Sequence, residues 1–352
     1  MRILFITRKY PPSKGGMEIF AAELYAALKT RNDGITTLCA PDFAIIGRPN
    51  AWQLLRFTWK AMRAIVAAGN SFDAILLGDS LLTPLALWAR IFHRGKVKLI
   101  GTAHGNDIFF AAQRSIAGRI YAFALRGTAG FLDLLIANSR VTASAAQKLG
   151  FGRIERVPLA TKQQNIPSCP IPQPTLLFAG RLISYKGLSW FIEKVLPKID
   201  ERMSLLVAGP VWDVSEMRTL NSCKRAVYLG VLEQAELAAL RANTTACVMP
   251  NLPPEMSLQD EGFGLSALEG PAVGTPIVAT RCGGIPEAIV DGITGFVVDP
   301  LDADGFAARI HQIQAWSAEE RASFSKGARQ EIEENFSWSR VADDYLALMK
   351  SL

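Results

Sequence analysis

No run in the 352-residue chain reaches the roughly 18 consecutive apolar residues that a bilayer-spanning helix needs, so an integral membrane helix is not expected. Histidine is scarce: His93, His104 and His311 stand at no metal-ligand spacing. The five cysteines, Cys39, Cys169, Cys223, Cys247 and Cys282, are odd in number, scattered and without a CxxC pair. That pattern argues against a disulfide framework or a structural zinc site and fits a reducing compartment. Neither half carries GxGxxG at a strand–helix turn, so the fingerprint of a nicotinamide dehydrogenase is missing. The opening MRILFITRKYPPSKGG places its charge after a short apolar run. It reads as a buried first strand, not an export signal, and the expected location is cytoplasmic.

What the chain does have is core-forming material and an uneven charge. Hydrophobic residues make up 49% and charged residues 20%, enough for two globular cores at this length. Residues 1–170 hold 22 Lys+Arg against 9 Asp+Glu, a net of +13, while residues 171–352 hold 16 against 23, a net of −7. The two halves therefore suit different partners. For the first, the leading reading is an anionic membrane surface or an acidic acceptor. Nucleic acid is not expected, because no recognition motif accompanies the charge.

Short apolar runs alternate with helical patterns throughout, which points to an α/β fold with parallel sheets and crossover helices. Ile3–Thr7, Thr36–Cys39, Ala74–Leu77, Lys98–Thr102 and Leu134–Ala137 read as strands of a first Rossmann-like domain over residues 1–160. Met17–Lys29 and Thr142–Leu149 are helical segments between them. Pro158 to Pro174 holds five prolines and little periodicity, which places a linker at 161–174. Strands then resume at Thr175–Ala179, Leu205–Val207, Ala226–Leu229, Ala246–Met249, Pro276–Ala279 and Gly295–Val298, defining a second Rossmann-like domain over 175–340. Ligands of such sheets bind outside the carboxyl ends of the strands. With two units facing each other, a deep interdomain cleft is the expected site.

Three constellations carry chemistry. In Glu261-Gly-Phe-Gly-Leu-Ser-Ala-Leu-Glu269, Gly262 and Gly264 stand between two carboxylates just before a helix. Exposed NH groups and the helix dipole there favour an anion by about 0.3–1 kcal/mol. Each carboxylate can accept hydroxyl donors from a ribose or a sugar. The plain alternative is a loop acid and a helical acid satisfied locally. In Gly180-Arg181-Leu-Ile-Ser-Tyr-Lys186-Gly187, directly after a strand, Arg181 can fork onto phosphate oxygens while Lys186 adds a point charge. A solvated loop with two surface cations is the competing reading. Gly15-Gly16, in the first strand–helix connection, is either a tight turn or a pair of NH groups open to a diphosphate.

Taken in order, Gly180-Arg181 to Lys186-Gly187, Glu261 to Glu269, Gly283-Gly284-Ile285-Pro286-Glu287 and Asp291-Gly292-Ile-Thr-Gly295 resemble glycosyltransferase family four across the whole second half. In the first half the resemblance rests on Gly15-Gly16, the His104-Gly105-Asn106-Asp107 loop and Asn138-Ser139. It implies the two-Rossmann-domain fold called GT-B, with the last helix, 341–352, crossing back onto the first domain. It also implies a retaining, metal-independent sugar transfer from a nucleotide-sugar donor, with no cofactor. Glu269 would bind the ribose, and Glu261 the hydroxyls of the transferred sugar. Arg181 and Lys186 would neutralise the diphosphate, with Gly15 and Gly16 donating backbone NH groups. Gly262, Phe263, Gly264 and Leu265 would line the donor. His104 would sit near the reacting sugar, Asp107 near the acceptor, and Gly283 and Gly284 near the sugar or phosphates.

Some features depart from the family's common pattern. Gly270-Pro271 directly after Glu269 suggests a helix that kinks or restarts, and Asn251–Asp260 is a long proline-bearing acidic loop. Asp302-Ala-Asp304 looks like a metal-binding DxD but reads better as a helix cap. A UDP-sugar is favoured as donor, with GDP-mannose next, and the implied acceptor is lipid-linked or a glycan of the cell envelope. In Ala51–Ala68, Arg56, Lys60 and Arg63 mark one helix face and Trp52, Leu55, Trp59, Met62 and Val66 another. Arg114–Arg126 adds Arg119, Tyr121 and Phe123. These stripes suit either a helix lying on an anionic membrane or an ordinary core helix. Two other functions fit the same architecture: a nucleotide-sugar 2-epimerase and a non-catalytic nucleotide-sugar-binding subunit.

Overall fold

The computed structural model describes the chain apart from residues 13–14, 33, 40–50, 70, 94–95, 114, 165, 167–173 and 258–259. Most of the expected linker, Cys169 and Arg114 thus lie outside the described residues. Two compact units account for the rest: Met1–Leu159 with Trp338–Leu352, and Ala160–Ser337.

The first unit is built on six parallel strands: β1 (Ile3–Thr7), β2 (Ile35–Cys39), β3 (Ala74–Leu77), β4 (Lys98–Ala103), β5 (Leu134–Ala137) and β6 (Ile154–Arg156). Their order is β2-β1-β3-β4-β5-β6, so successive connections leave β1 in opposite directions and a crevice opens between the ends of β1 and β3. Helices α1 (Gly16–Arg31), α2 (Ala51–Ala68), α3 (Pro84–His93), α4 (Asn106–Phe109), α5 (Ile116–Thr128) and α6 (Arg140–Gln147) connect them. Every residue of β1 and β3 is buried, which is why these strands are continuous apolar runs. β6 was not expected. It is a three-residue edge strand of Ile-Glu-Arg, too short and too polar to stand out as an apolar run.

The helix over 51–68 packs on the core, but through a stripe other than the expected one. Its core-facing stripe is Phe57, Ala61 and Ile65, packed with Leu4, Ile6, Ile75 and Leu77. Trp52, Leu55, Trp59 and Val66 are exposed, and only Met62 of that stripe packs against the core.

The second unit repeats the plan with β7 (Thr175–Ala179), β8 (Ser204–Ala208), β9 (Ala226–Tyr228), β10 (Ala246–Met249), β11 (Ile277–Thr280) and β12 (Gly295–Val298). The order β12-β11-β10-β7-β8-β9 is parallel throughout and places the switch point between β7 and β10. Leu176, Phe178, Phe191, Val248 and Phe306 are among the residues that fill its core. Asp302 caps the helix Ala303–Gln314, its carboxylate accepting from Gly305 N at 2.8 Å. The DxD look-alike is a cap.

The C-terminal helix Trp338–Lys350 belongs to the first unit and packs against α1. It buries Trp338, Val341, Ala342, Tyr345, Leu346 and Met349, and Phe20 of α1 meets the Trp338 ring at 5.9 Å. Lys98 Nζ donates to Met349 O at 3.0 Å, and Arg340 donates to Pro158 O at 2.6 Å. An Arg31–Asp343 ion pair adds a contact at the rim. Burial should outweigh the ion pair. Tyr345→Ala, at a position 3% exposed, is expected to cost about 3 kcal/mol. Asp343→Ala is expected to cost less than about 1 kcal/mol. Denaturant unfolding of the two variants checks this, and equal costs would refute the ranking.

Candidate functional site

At the switch point of the second unit, the loop after β7 meets the loop after β10. Gly187 makes the approach possible. Its φ of +73° suits glycine, and a Cβ there would overlap the carbonyl oxygen of Pro250. The turn Ser184–Lys186 just before it thereby delivers Lys186 to the acidic loop. Lys186 Nζ donates to Glu261 Oε2, and Asn251 Nδ2 donates to the same oxygen at 3.2 Å. Burial by itself would lower the Lys186 pKa, but the adjoining Glu261 carboxylate and Tyr185 together outweigh it and the net shift is upward. The ammonium therefore stays charged at neutral pH.

Asn251 is 1% exposed, and its Oδ1 has no hydrogen-bond partner among the described residues. Thr280 Oγ1 and Cys282 Sγ fix its backbone, donating to Asn251 O at 2.6 and 3.2 Å. Arg181 stands just beyond β7. Its guanidinium donates to Tyr185 Oη at 2.9 Å and lies 4.8 Å from the centre of the exposed Trp212 ring.

Glu261 is held from behind by Gly283 and Gly284. Gly284 N donates to Glu261 O at 2.8 Å, and a Cβ on either glycine would strike the backbone of Glu261 or Gly262. These two glycines thus shape the acidic loop through close backbone packing. Phe263 is 1% exposed and serves the core, Gly264 has φ +87°, and Leu265 is half-buried. The helix that follows is a single turn, Ser266–Glu269, and Gly270 leads into a 3₁₀ turn at Pro271–Val273. Glu269 is therefore its last residue, and the dipole of so short a helix contributes little to anion binding.

What Glu269 does have is a partner that the sequence reading missed. Arg241, on the helix Gln234–Ala242 and 4% exposed at its side chain, donates to Glu269 Oε2. Lys186, Arg241, Asn251, Ser266 and Cys247 line one small pocket. Burial pushes the Cys247 thiol up to about 12, so it is neutral there and not a nucleophile. Two cations, Lys186 and Arg241, thus pair with two carboxylates, and a third, Arg181, stands close to Lys186. The Oε1 oxygens of Glu261 and Glu269 make no hydrogen bond among the described residues and suit ligand hydroxyls. The excess positive charge suits an anion.

In the first unit, the loops after β1, β3 and β4 hold a second cluster. His104 Nε2 lies 3.0 Å from Gly78 O and 3.4 Å from Thr102 Oγ1. Gly78 O can only accept, and the Thr102 hydroxyl donates to Leu77 O at 2.9 Å. Nε2 of His104 therefore carries a hydrogen, and in the neutral ring Nδ1 is the free acceptor. Phe20 packs edge-on against the imidazole with centroids 4.4 Å apart.

Asp107, expected to contact an acceptor, is buried and employs both carboxylate oxygens locally. Oδ1 accepts from His104 N at 2.8 Å and Ile108 N at 3.1 Å, and Oδ2 from Ser80 N at 3.0 Å. It ties the β3 and β4 loops together. Arg8 pairs with the fully buried Asp79 at 2.9 Å. At Gly15-Gly16 the Glu18 carboxylate folds back against Gly15 and pairs with Lys9 at 3.0 Å.

The structure therefore joins Lys186 to Glu261 with Arg181 near them, sets Glu269 in its own ion pair, and joins His104 to Asp107. Asn251, Arg241, Trp212 and Glu18 were not anticipated. Asn251 and Trp212 had a signal, since each lies in the loop after the carboxyl end of a recognised strand.

Residues 173–315 match the model described as glycosyl transferases group 1, and residues 14–161 match that of glycosyltransferase family 4. Glycogen synthase of Mycobacterium tuberculosis is 33% identical over 97% of this chain and 92% of its own length. The GDP-mannose-dependent alpha-(1-6)-phosphatidylinositol monomannoside mannosyltransferase of Mycolicibacterium smegmatis is 22% identical over 96% and 95%. An Anabaena protein solved in complex with UDP-glucose superposes with a TM-score of 0.75 at 17% identity, over the whole of both chains.

The two ion pairs differ in depth, which gives a test. Arg241→Leu leaves the largely buried Glu269 without its cation and is expected to destabilise the second unit by about 3 kcal/mol. Adding Glu269→Leu to it should recover most of that loss, because no charge is then stranded. Denaturant melts of the single and double variants decide the matter; a double variant as unstable as the single one counts against the pairing.

Proposed function

The chain belongs to glycosyltransferase family 4, the group 1 glycosyl transferases, and from that premise we propose that it transfers a sugar from a nucleotide-sugar donor with retention of anomeric configuration. The reading rests on one observation: the Lys186–Glu261 and Arg241–Glu269 pairs meet at one pocket at the switch point of the second unit, with Arg181 close to Lys186. Arg181 and Lys186 take the diphosphate, Lys186 sharing its charge between Glu261 and a phosphate oxygen. Glu269, oriented by Arg241, accepts the ribose hydroxyls. Glu261 accepts hydroxyls of the transferred sugar. In the first unit, Gly15 and Gly16 carry backbone NH groups suited to a phosphate, and His104 accepts a substrate hydroxyl at Nδ1.

The reaction is a front-face displacement. The acceptor oxygen forms a bond to the anomeric carbon as the bond from that carbon to the diphosphate oxygen breaks. The acceptor proton passes to the departing phosphate, and the nucleoside diphosphate leaves. Negative charge grows on that leaving group, and fixed cations stabilise the transition state most where charge develops. No metal is needed in this scheme.

The donor proposed is a UDP-sugar, with GDP-mannose second. The UDP-glucose complex of the Anabaena protein supports the first, and the name of the mycobacterial mannosyltransferase the second. That same name supports a lipid-linked acceptor, and the proposal places the reaction in assembly of a cell-envelope glycan at the cytoplasmic face of a membrane.

A thermal-shift titration with UDP, GDP and ADP, without added metal, tests the donor. At 100 times its dissociation constant UDP should stabilise the fold by about 2.7 kcal/mol. Lys186→Ala should remove that shift and lower kcat by about 100-fold or more. No shift with any nucleotide would refute the assignment of the second-unit site. Activity lost in EDTA and restored by Mg²⁺ would overturn the metal-free mechanism.

A further inference from the structure

Three helices of the first unit, α2, α3 and α5, stand side by side, with α3 packed against both of the others. Each turns one apolar stripe inward: Phe57, Ala61 and Ile65 from α2, Leu85, Ala86 and Ala89 from α3, and Ala122 and Leu125 from α5. Each also carries a second apolar stripe that faces outward. On α2 this is Trp52, Leu55, Trp59 and Val66; on α3 Leu87, Ile91 and Phe92; on α5 Ile116, Ile120 and Phe123. Trp52, Ile116 and Phe123 are 78–79% exposed, which no folding requirement explains. Between α2 and α3 the ridge is continuous, because Trp88 Nε1 donates to Met62 O at 3.2 Å and its ring lies 4.6 Å from that of Phe92, and α5 packs beside α3.

The charge on these helices has one sign. Residues 51–68, 84–93 and 116–128 contain no Asp or Glu. Arg56, Lys60, Arg63, Arg119 and Arg126 are all exposed, and Arg63 lies over the Trp59 ring at 4.6 Å. No helix among the described residues is long and apolar enough to cross a membrane.

We propose that the outer face of α2, α3 and α5 is a docking surface for an anionic lipid bilayer, with the helices lying in the interface plane. Tryptophan and phenylalanine side chains enter the headgroup boundary, aliphatic side chains go deeper, and the interleaved cations meet lipid phosphates. Charge complementarity selects this occupant. A second copy of the chain would bring like-charged faces together. A nucleic acid would pair the cations but leave the isoleucine and phenylalanine side chains in water. The proposal gives the lipid-linked acceptor a location and relies on that reading for its purpose, although the observations behind it are independent.

Flotation of the full chain with vesicles containing phosphatidylserine, against vesicles of phosphatidylcholine alone, tests it. The chain is expected to float with the anionic vesicles at low salt and to lose about tenfold or more in binding at about 1 M salt, where the screening length is roughly 3 Å. Two variants, Trp52→Ser/Trp59→Ser/Phe123→Ser and Arg56→Glu/Lys60→Glu/Arg119→Glu, should each lose at least about tenfold in vesicle binding. All six side chains are exposed, so the melting temperature and its shift with UDP should be unchanged. Failure of the native chain to float, or equal flotation of the variants, overturns the proposal. So does concentration-dependent self-association that the same substitutions abolish. An intact UDP shift without flotation refutes the docking surface alone, and flotation without a UDP shift refutes the donor reading alone.

Discussion

The contact between Lys186 and Glu261 organises the second unit's site, and it depends on a residue with no side chain. Gly187 lets the turn after β7 press against the Pro250 carbonyl, and only then does the Lys186 ammonium reach the acidic loop. A buried ammonium and a buried carboxylate each carry a heavy desolvation cost when alone. Placed together, with Asn251 adding a hydrogen bond to the same oxygen, they remain ionised beside the pocket. Gly283 and Gly284 perform the matching task from the other side, where backbone takes the room that a Cβ would need. Both loops are thereby fixed without long side chains crowding the space a ligand needs.

Glu269 and Arg241 repeat the device a short distance away. The result is a pocket where two carboxylates are each half-neutralised, with Arg181 held by Tyr185 close to Lys186. Such a site accepts an anion and hydroxyls at once, which is the chemistry of a nucleoside diphosphate joined to a sugar. In the first unit the same logic takes a quieter form. Asp107 uses its carboxylate to bind two loops, and His104 is left with one nitrogen committed to the Gly78 carbonyl.

The two units also differ in what they show to solvent. Positive charge concentrates in the first half, and the structure gathers part of it, with ten exposed apolar side chains, on three neighbouring helices. Charge alone indicated an acidic partner. The apolar ridge between the cations narrows that partner to a surface that is both acidic and oily.

Much of this was legible in the linear chain. The strands β1, β3, β5, β7, β10 and β12 are continuous apolar runs because parallel sheets bury both faces, so their limits could be read to the residue. The Glu261–Glu269 spacing, the cations after β7 and the Asp302 cap were likewise local features. β6 was not legible, since pairing with β5 and not its own composition makes it a strand. Arg241 was invisible for a related reason: 28 residues separate it from Glu269, and only the fold joins them. Helix α2 shows the limit most clearly. Its sequence contains two apolar stripes of similar strength, and periodicity cannot say which one meets the core. The sheet beneath decided, taking Phe57, Ala61 and Ile65 and leaving the tryptophans outside.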